Sequence, residues 1–295
     1  MRWRLVVPVL ALVLAGCSGF GGLDGSGDSR TTTLTPVDVP ERSTAVDATP
    51  STATAENRLL PGLTTEGVTD PFVLADAHHD LLANRSYTRI TDRTLDGPNG
   101  TLRSTHQELR VAEGGRRYHL TATSESAPSY PVSAVASRLG LWYDDAPALF
   151  RVGQGENVSY RVGMTGSLDG PVGDITGEDR LVGLYGTVDR WSVKPMVSWN
   201  NQRLLVLESR EPPDHDVLRL PTLVEEPRDA ELQVVLTNDG GVVSHRLRYN
   251  ATFDGQPVRV VEHVRYVQVG STTVDEPAWL DEAIEETIDD RRGSG

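Results

Sequence analysis

The chain has 295 residues, a formal net charge of −14, 38% hydrophobic residues and one cysteine. The part left after an N-terminal leader and tether, about 215 residues, suits one large β-rich domain or two small ones. The acidic balance offers no basic stripe to release counterions from phosphates, which argues against a nucleic-acid partner, and a single cysteine rules out an intramolecular disulfide.

Residues 1–16 have the form of a secretory signal. Arg2 and Arg4 make a positive start, and Leu5 to Leu14 make an apolar run broken only by Pro8. A run this short does not span a bilayer, which takes about 20 apolar residues. Leu14-Ala15-Gly16-Cys17 resembles the lipobox of lipoproteins. The resemblance implies cleavage before Cys17, a lipid on its thiol, and attachment to the extracellular face of the cell membrane. Cleavage would also remove two arginines and leave the mature chain more acidic still. Arg2-Trp3-Arg4 departs from the adjacent arginine pair common in haloarchaeal export signals, so the export route stays open.

Residues 17–66 read as a disordered, lipid-anchored tether. Ser18 to Ser29 is rich in Gly and Ser, and Thr31 to Ala55 in Thr, Pro, Asp and Ala. Such a segment has too little apolar surface to offset its ordering entropy. As a flexible coil it would span roughly 40 Å r.m.s.. Lys194 is the only lysine and aspartate is plentiful, a surface that resembles those of extreme halophiles. There, carboxylates hold water and hydrated cations while strong salt screens their repulsion.

Residues 67–282 read as one domain. Asp70 is placed to cap a helix and Pro71 suits its first position. Leu74, His78, Leu81, Leu82 and Arg85 follow at helical spacing. Strands are expected near 86–95, 101–112 and 116–124, with turns at Asp96-Gly97-Pro98-Asn99-Gly100 and Glu113-Gly114-Gly115. Further strands are expected at 139–145, 148–153 and 158–163. A second helix is expected over 177–191, capped by Thr176, with Leu181, Leu184, Tyr185, Val188 and Trp191 on one face. The last third is a three-strand antiparallel meander. Leu232, Val234 and Leu236 face inward on its first strand, and Val243, Leu247 and Tyr249 on its second. The third runs from Val258 to Val269, with Val258, Val260, Val264 and Tyr266 on one face. Residues 283–295 read as a flexible acidic tail.

No catalytic motif emerges, and no cofactor is implied. Gly153-Gln154-Gly155 lacks the third glycine of a nucleotide loop, and neither a Gly-x-Ser-x-Gly elbow nor a His-Glu-x-x-His helix is present. His78 and His79 point about 100° apart on a helix and do not easily share a metal, so no metal ligand is assigned. Asn84, Asn99, Asn157 and Asn250 sit in Asn-x-Ser/Thr sequons, candidates for glycosylation in an exported chain. Trp142, Tyr143, Phe150, Leu184, Tyr185, Val188, Trp191 and Trp199 concentrate large side chains in the central third, as core or as the lining of an apolar cavity.

The order of elements resembles the lipoprotein-carrier fold shared by mycobacterial lipid-binding lipoproteins and bacterial lipoprotein chaperones. The stretch from Val264-Arg265-Tyr266 to Asp275-Glu276-Pro277-Ala278-Trp279 is similar to the last strand and exit of such domains. Val68-Thr69-Asp70-Pro71-Phe72 through Ser86-Tyr87 resembles the opening of a family of haloarchaeal surface lipoproteins of unknown function. The resemblance implies an α+β fold in which an antiparallel sheet forms an unclosed half-barrel with helices on its concave face. It also implies a non-enzymatic surface lipoprotein that takes an apolar ligand or a lipidated partner, with the eight residues above as cavity lining. The alternative is an adhesion or envelope scaffold with a filled core and no ligand.

Overall fold

A computed structural model describes residues 57–128, 137–154, 156–163, 174–197, 203–211, 217–218 and 224–293. The expected signal segment, Cys17, most of the expected tether and Trp199 lie outside these residues. No helix among them is long and apolar enough to cross a membrane.

Three short strands, β1 (Arg58–Leu60), β2 (Leu63–Thr64) and β3 (Gly67–Val68), form a small antiparallel sheet. Residues 58–66 thus belong to the folded unit and not to a tether running to 66. Leu60 and Leu63 decide this. They are 5% and 1% exposed and join the main core, where each contributes roughly 1.5–3 kcal/mol.

The first helix, α1 (Pro71–Ala83), begins as expected. The Asp70 carboxylate accepts from the backbone N–H groups of Phe72 and Val73, both at 3.1 Å. Leu74, Ala75, His78 and Leu82 form its buried stripe. Six strands follow: β4 (Tyr87–Gly97), β5 (Gly100–Val111), β6 (Arg117–Ser126), β7 (Arg138–Asp144), β8 (Ala148–Gln154) and β9 (Asn157–Gly163). After α2 (Glu178–Gly186) come β10 (Ser192–Val197), β11 (Arg203–Ser209), β12 (Glu225–Thr237), β13 (Val242–Phe253) and β14 (Gln256–Val267), then α3 (Leu280–Gly293).

These eleven strands make one antiparallel sheet in the order β10-β11-β12-β13-β14-β4-β5-β6-β7-β8-β9. Two meanders are joined by pairing of the last strand with the first of the other set, Glu262 opposite Arg93 and Tyr266 opposite Arg89. β10 and β9 are the two edges and do not pair with each other, so the sheet is not closed. The fold is α+β on an unclosed antiparallel sheet, as expected. Local chemistry sets the hairpins. Asp254 and Gly255 both have positive φ, 49° and 71°, the two-residue type I′ turn that matches strand twist.

The structure departs from the sequence expectation in four further places. Asp174, not Thr176, caps α2: its Oδ1 accepts from the N–H groups of Gly177 and Glu178 at 2.6 and 2.9 Å. The helix ends at Gly186 rather than 191. Gly183 and Gly186 weaken its propagation, and the Thr187 hydroxyl takes the Gly183 carbonyl at 2.7 Å. On β13 a register shift between Val235 and Leu236 sets Leu236 opposite Val242, so Val242 is buried in place of Val243. Finally, the expected flexible tail is helical as far as Gly293. Ala283 is fully buried, and the Tyr160 hydroxyl donates to Glu282 at 2.8 Å.

Candidate functional site

The residues expected to line a cavity separate into two groups. Leu184, Tyr185 and Val188 are 0%, 1% and 7% exposed and belong to the core beside α1. Trp191 packs against them, its ring centroid 6.2 Å from that of Tyr185. Tyr143 stacks on Tyr118 at 4.8 Å, and Phe150 packs on the same core. Trp142 alternates with Leu141 and Tyr143 on β7 and so faces the other side of the sheet. There it meets His119 at 6.2 Å, and Trp279, next to α3, approaches the same imidazole. The larger cavities are bounded by other residues. A run of aromatics in sequence signals burial, and alternation on a strand divides such a run between two faces. Among the sequons, Asn84, Asn99 and Asn157 are exposed, while Asn250 is half-buried on β13 with its amide donating to Asp229 at 3.1 Å.

Polar groups inside the core tie the helices to the sheet. The ring of His78 bridges three elements. Its Nδ1 accepts the N–H of Val242 at 3.0 Å, so its Nε2 carries the proton and donates to the Thr176 carbonyl at 3.2 Å. Burial pushes its pKa down to about 4, which keeps the ring neutral. Tyr266 donates to the same carbonyl at 2.7 Å and meets the His78 ring edge-on at 4.5 Å.

Beside them lies a buried ion cluster. Glu262 is 3% exposed and stands in the apolar row Val258, Val260, Val264, Tyr266. Arg93 holds its Oε2, and Arg180 from α2 holds its Oε1 at 3.1 Å. Burial alone would raise the Glu262 pKa; His245 and the two guanidiniums outweigh it and hold the carboxyl well below the usual range. His245 lies 3.8 Å from Oε1, beyond hydrogen-bonding distance, and burial depresses its pKa. The signal for Glu262 was present in the sequence. It occupies the inward parity of an otherwise apolar strand, and a charge there has to be paired. His245 follows the same parity on β13, in line with Leu247 and Tyr249.

Two adjacent cavities open at one end of the sheet. The larger, about 680 Å³, lies between the end of α1, the β12–β13 turn and the segment after β14. Leu81, Leu82, Val242, Val243 and Val269 give it apolar walls, and Arg85 and Arg203 give it cations. The smaller, about 360 Å³, is walled by Leu59, Pro195, Met196, Leu204 and Leu205. Arg203 and Asn238 line both. Among the described residues neither Arg85 nor Arg203 has an ion-pair partner, and no His, Cys, Asp and Glu group is arranged to hold a metal.

An unclosed antiparallel sheet with, among the described residues, the helices α1, α2 and α3 defines the fold class, and comparison with known proteins adds little to it. No family model matches the chain, and no curated protein is similar to it. A solved structure of a DUF1329 family protein from Desulfovibrio piger is similar over 71% of this chain and 94% of that one, at 9% identity and a TM-score of 0.28.

Proposed function

We propose that the protein is a non-enzymatic lipoprotein, anchored through Cys17 on the extracellular face of the cell membrane, that receives an amphipathic ligand or the acyl chain of a lipidated partner. In this reading the sheet is a half-barrel with α1 and α2 on its concave face. The ligand lies in the paired cavities at Arg203, not among the central aromatics. The observation that carries the reading is their make-up. Their sizes fall in the roughly 300–1,000 Å³ range of ligand sites; the smaller is walled mainly by apolar side chains, and the larger joins an apolar wall to a polar one that carries Asp239 beside Arg85 and Arg203. The apolar part suits a hydrocarbon chain, and Arg85 and Arg203 suit its anionic end. Cys17 would hold the domain at the membrane where such ligands reside.

Two measurements test this. Cys17→Ser should release the protein from the membrane fraction; full retention there refutes the anchor. A fluorescent fatty acid should bind the purified protein saturably, and Leu81→Trp, which narrows the larger cavity, should weaken binding while the fold melts within a few degrees of the parent. No binding of the probe, together with no lipid in organic extracts of protein taken from its native membrane, would favour the scaffold reading. The full burial of Leu184 and Tyr185 already gives that reading a filled core.

A further inference from the structure

A separate cavity of about 300 Å³ opens over the middle of the sheet, below the start of α2. Strand register builds its floor. His245 stands opposite Val264, Val264 opposite Thr91, and Thr91 opposite Gln107, one row across four strands. Arg89 and Arg93 flank Thr91 on β4 at the same parity, and Arg180 comes down from α2. The chain as a whole carries a formal −14, yet three guanidiniums converge here.

Among the described residues Arg89 has no ion-pair partner. Glu262 takes Arg93 and Arg180. The Asp174 carboxylate is occupied by the N–H groups that it caps, and Arg89 donates to the Asp174 backbone carbonyl at 3.0 Å, beside the Tyr266 hydroxyl. Among the described lining residues three guanidiniums stand with two carboxylates, in a partly desolvated recess where positive charge attracts anions more strongly than at an open surface. His245 is an independent pointer. It is 2% exposed and lines the cavity, and neither ring nitrogen has a hydrogen-bond partner among the described residues. A buried imidazole N–H without an acceptor is costly; an oxygen in the cavity would supply one.

We infer that this cavity is a site for a tetrahedral oxyanion of the phosphate or sulfate type, held by Arg89 and Arg180 with Thr91, Gln107 and His245 as neutral partners. The donors come from β4, β5, β13 and α2, hence from several directions. A planar carboxylate is satisfied by one guanidinium fork, whereas a tetrahedral anion presents acceptors to several. The anion can be free or the head of a lipid, and the site is distinct from the paired cavities near Arg203; only the Tyr266 ring lines both it and the larger of those.

The test is equilibrium binding of radiolabelled inorganic phosphate to the purified protein at constant ionic strength. Saturable binding of one equivalent is expected. Arg89→Gln removes a cation that Glu262 does not depend on, and Gln107→Glu sets a carboxylate at the rim. Each should weaken binding about tenfold or more, the value of a lost charge-assisted contact. If one variant fails to fold, the other still decides. Displacement of phosphate by dihexanoyl phosphatidic acid would make the source a lipid head; failure to displace would make it a free anion. Both results uphold the oxyanion chemistry. No saturable binding of phosphate, sulfate or the short-chain lipid, or binding indifferent to both substitutions, overturns it.

Discussion

Arg180→Met removes one of the two guanidiniums on a carboxylate that is 3% exposed. Glu262 keeps Arg93, but among the described residues its Oε1 is left facing His245, at 3.8 Å. Breaking a buried ion pair from one side costs about 3–5 kcal/mol, because the stranded charge stays desolvated. The Val217 carbonyl also loses its donor, which reaches it at 2.5 Å in the parent; that bond is worth about 1 kcal/mol. Arg93 remains in place and moderates the loss, so about 3 kcal/mol is expected in all. For a folded unit of this size 1 kcal/mol moves the melting temperature by about 2–4 °C, which predicts a fall of roughly 6–12 °C. Adding Glu262→Leu should recover most of it. Arg93 then loses Glu262, but its guanidinium is 23% exposed and reaches water. Thermal melts of the parent, Arg180→Met and the double variant, in one buffer, decide the matter. A single variant within 2 °C of the parent, or a double variant less stable than the single, would refute the claim that Glu262 is the costly member.

His78 makes stability depend on pH. Its pKa is lowered by burial from 6.5 to about 4, so between these values the unfolded chain binds more protons and stability falls as pH falls, by about 3 kcal/mol in total. Urea melts of His78→Gln should lack that part of the slope between pH 6.5 and 4, even if the variant is less stable throughout. Gly177 has φ of +87°, and a Cβ there would strike the Tyr266 hydroxyl; Gly177→Ala should cost about 2 kcal/mol or more, read as a drop in the urea midpoint. With a formal charge of −14, the melting temperature should rise as salt goes from tens of millimolar to molar and the screening length contracts from tens of ångströms to about 3 Å; a flat profile would remove the halophilic reading.

Most elements were legible in the sequence because their signals are local. Asp70-Pro71 marks the start of α1 through one side chain and one fixed φ, and Asp254-Gly255 marks a hairpin through two positive φ values. Alternation marks the strands of the closing meander through the pleat alone. The tertiary structure decided what depends on partners distant in the chain. It paired β14 with β4 and so set Glu262 against Arg93, 169 residues apart. It also seated Leu60 and Leu63 in the core and drew the acidic C-terminal segment into α3. It placed the cavities at the sheet's end and over Glu262, away from the densest aromatic run. The physical reason is that periodicity states which residues share a face but not which face meets which neighbour. An inward charge such as Glu262 is stable only once the sheet's register and α2 bring its two arginines to it.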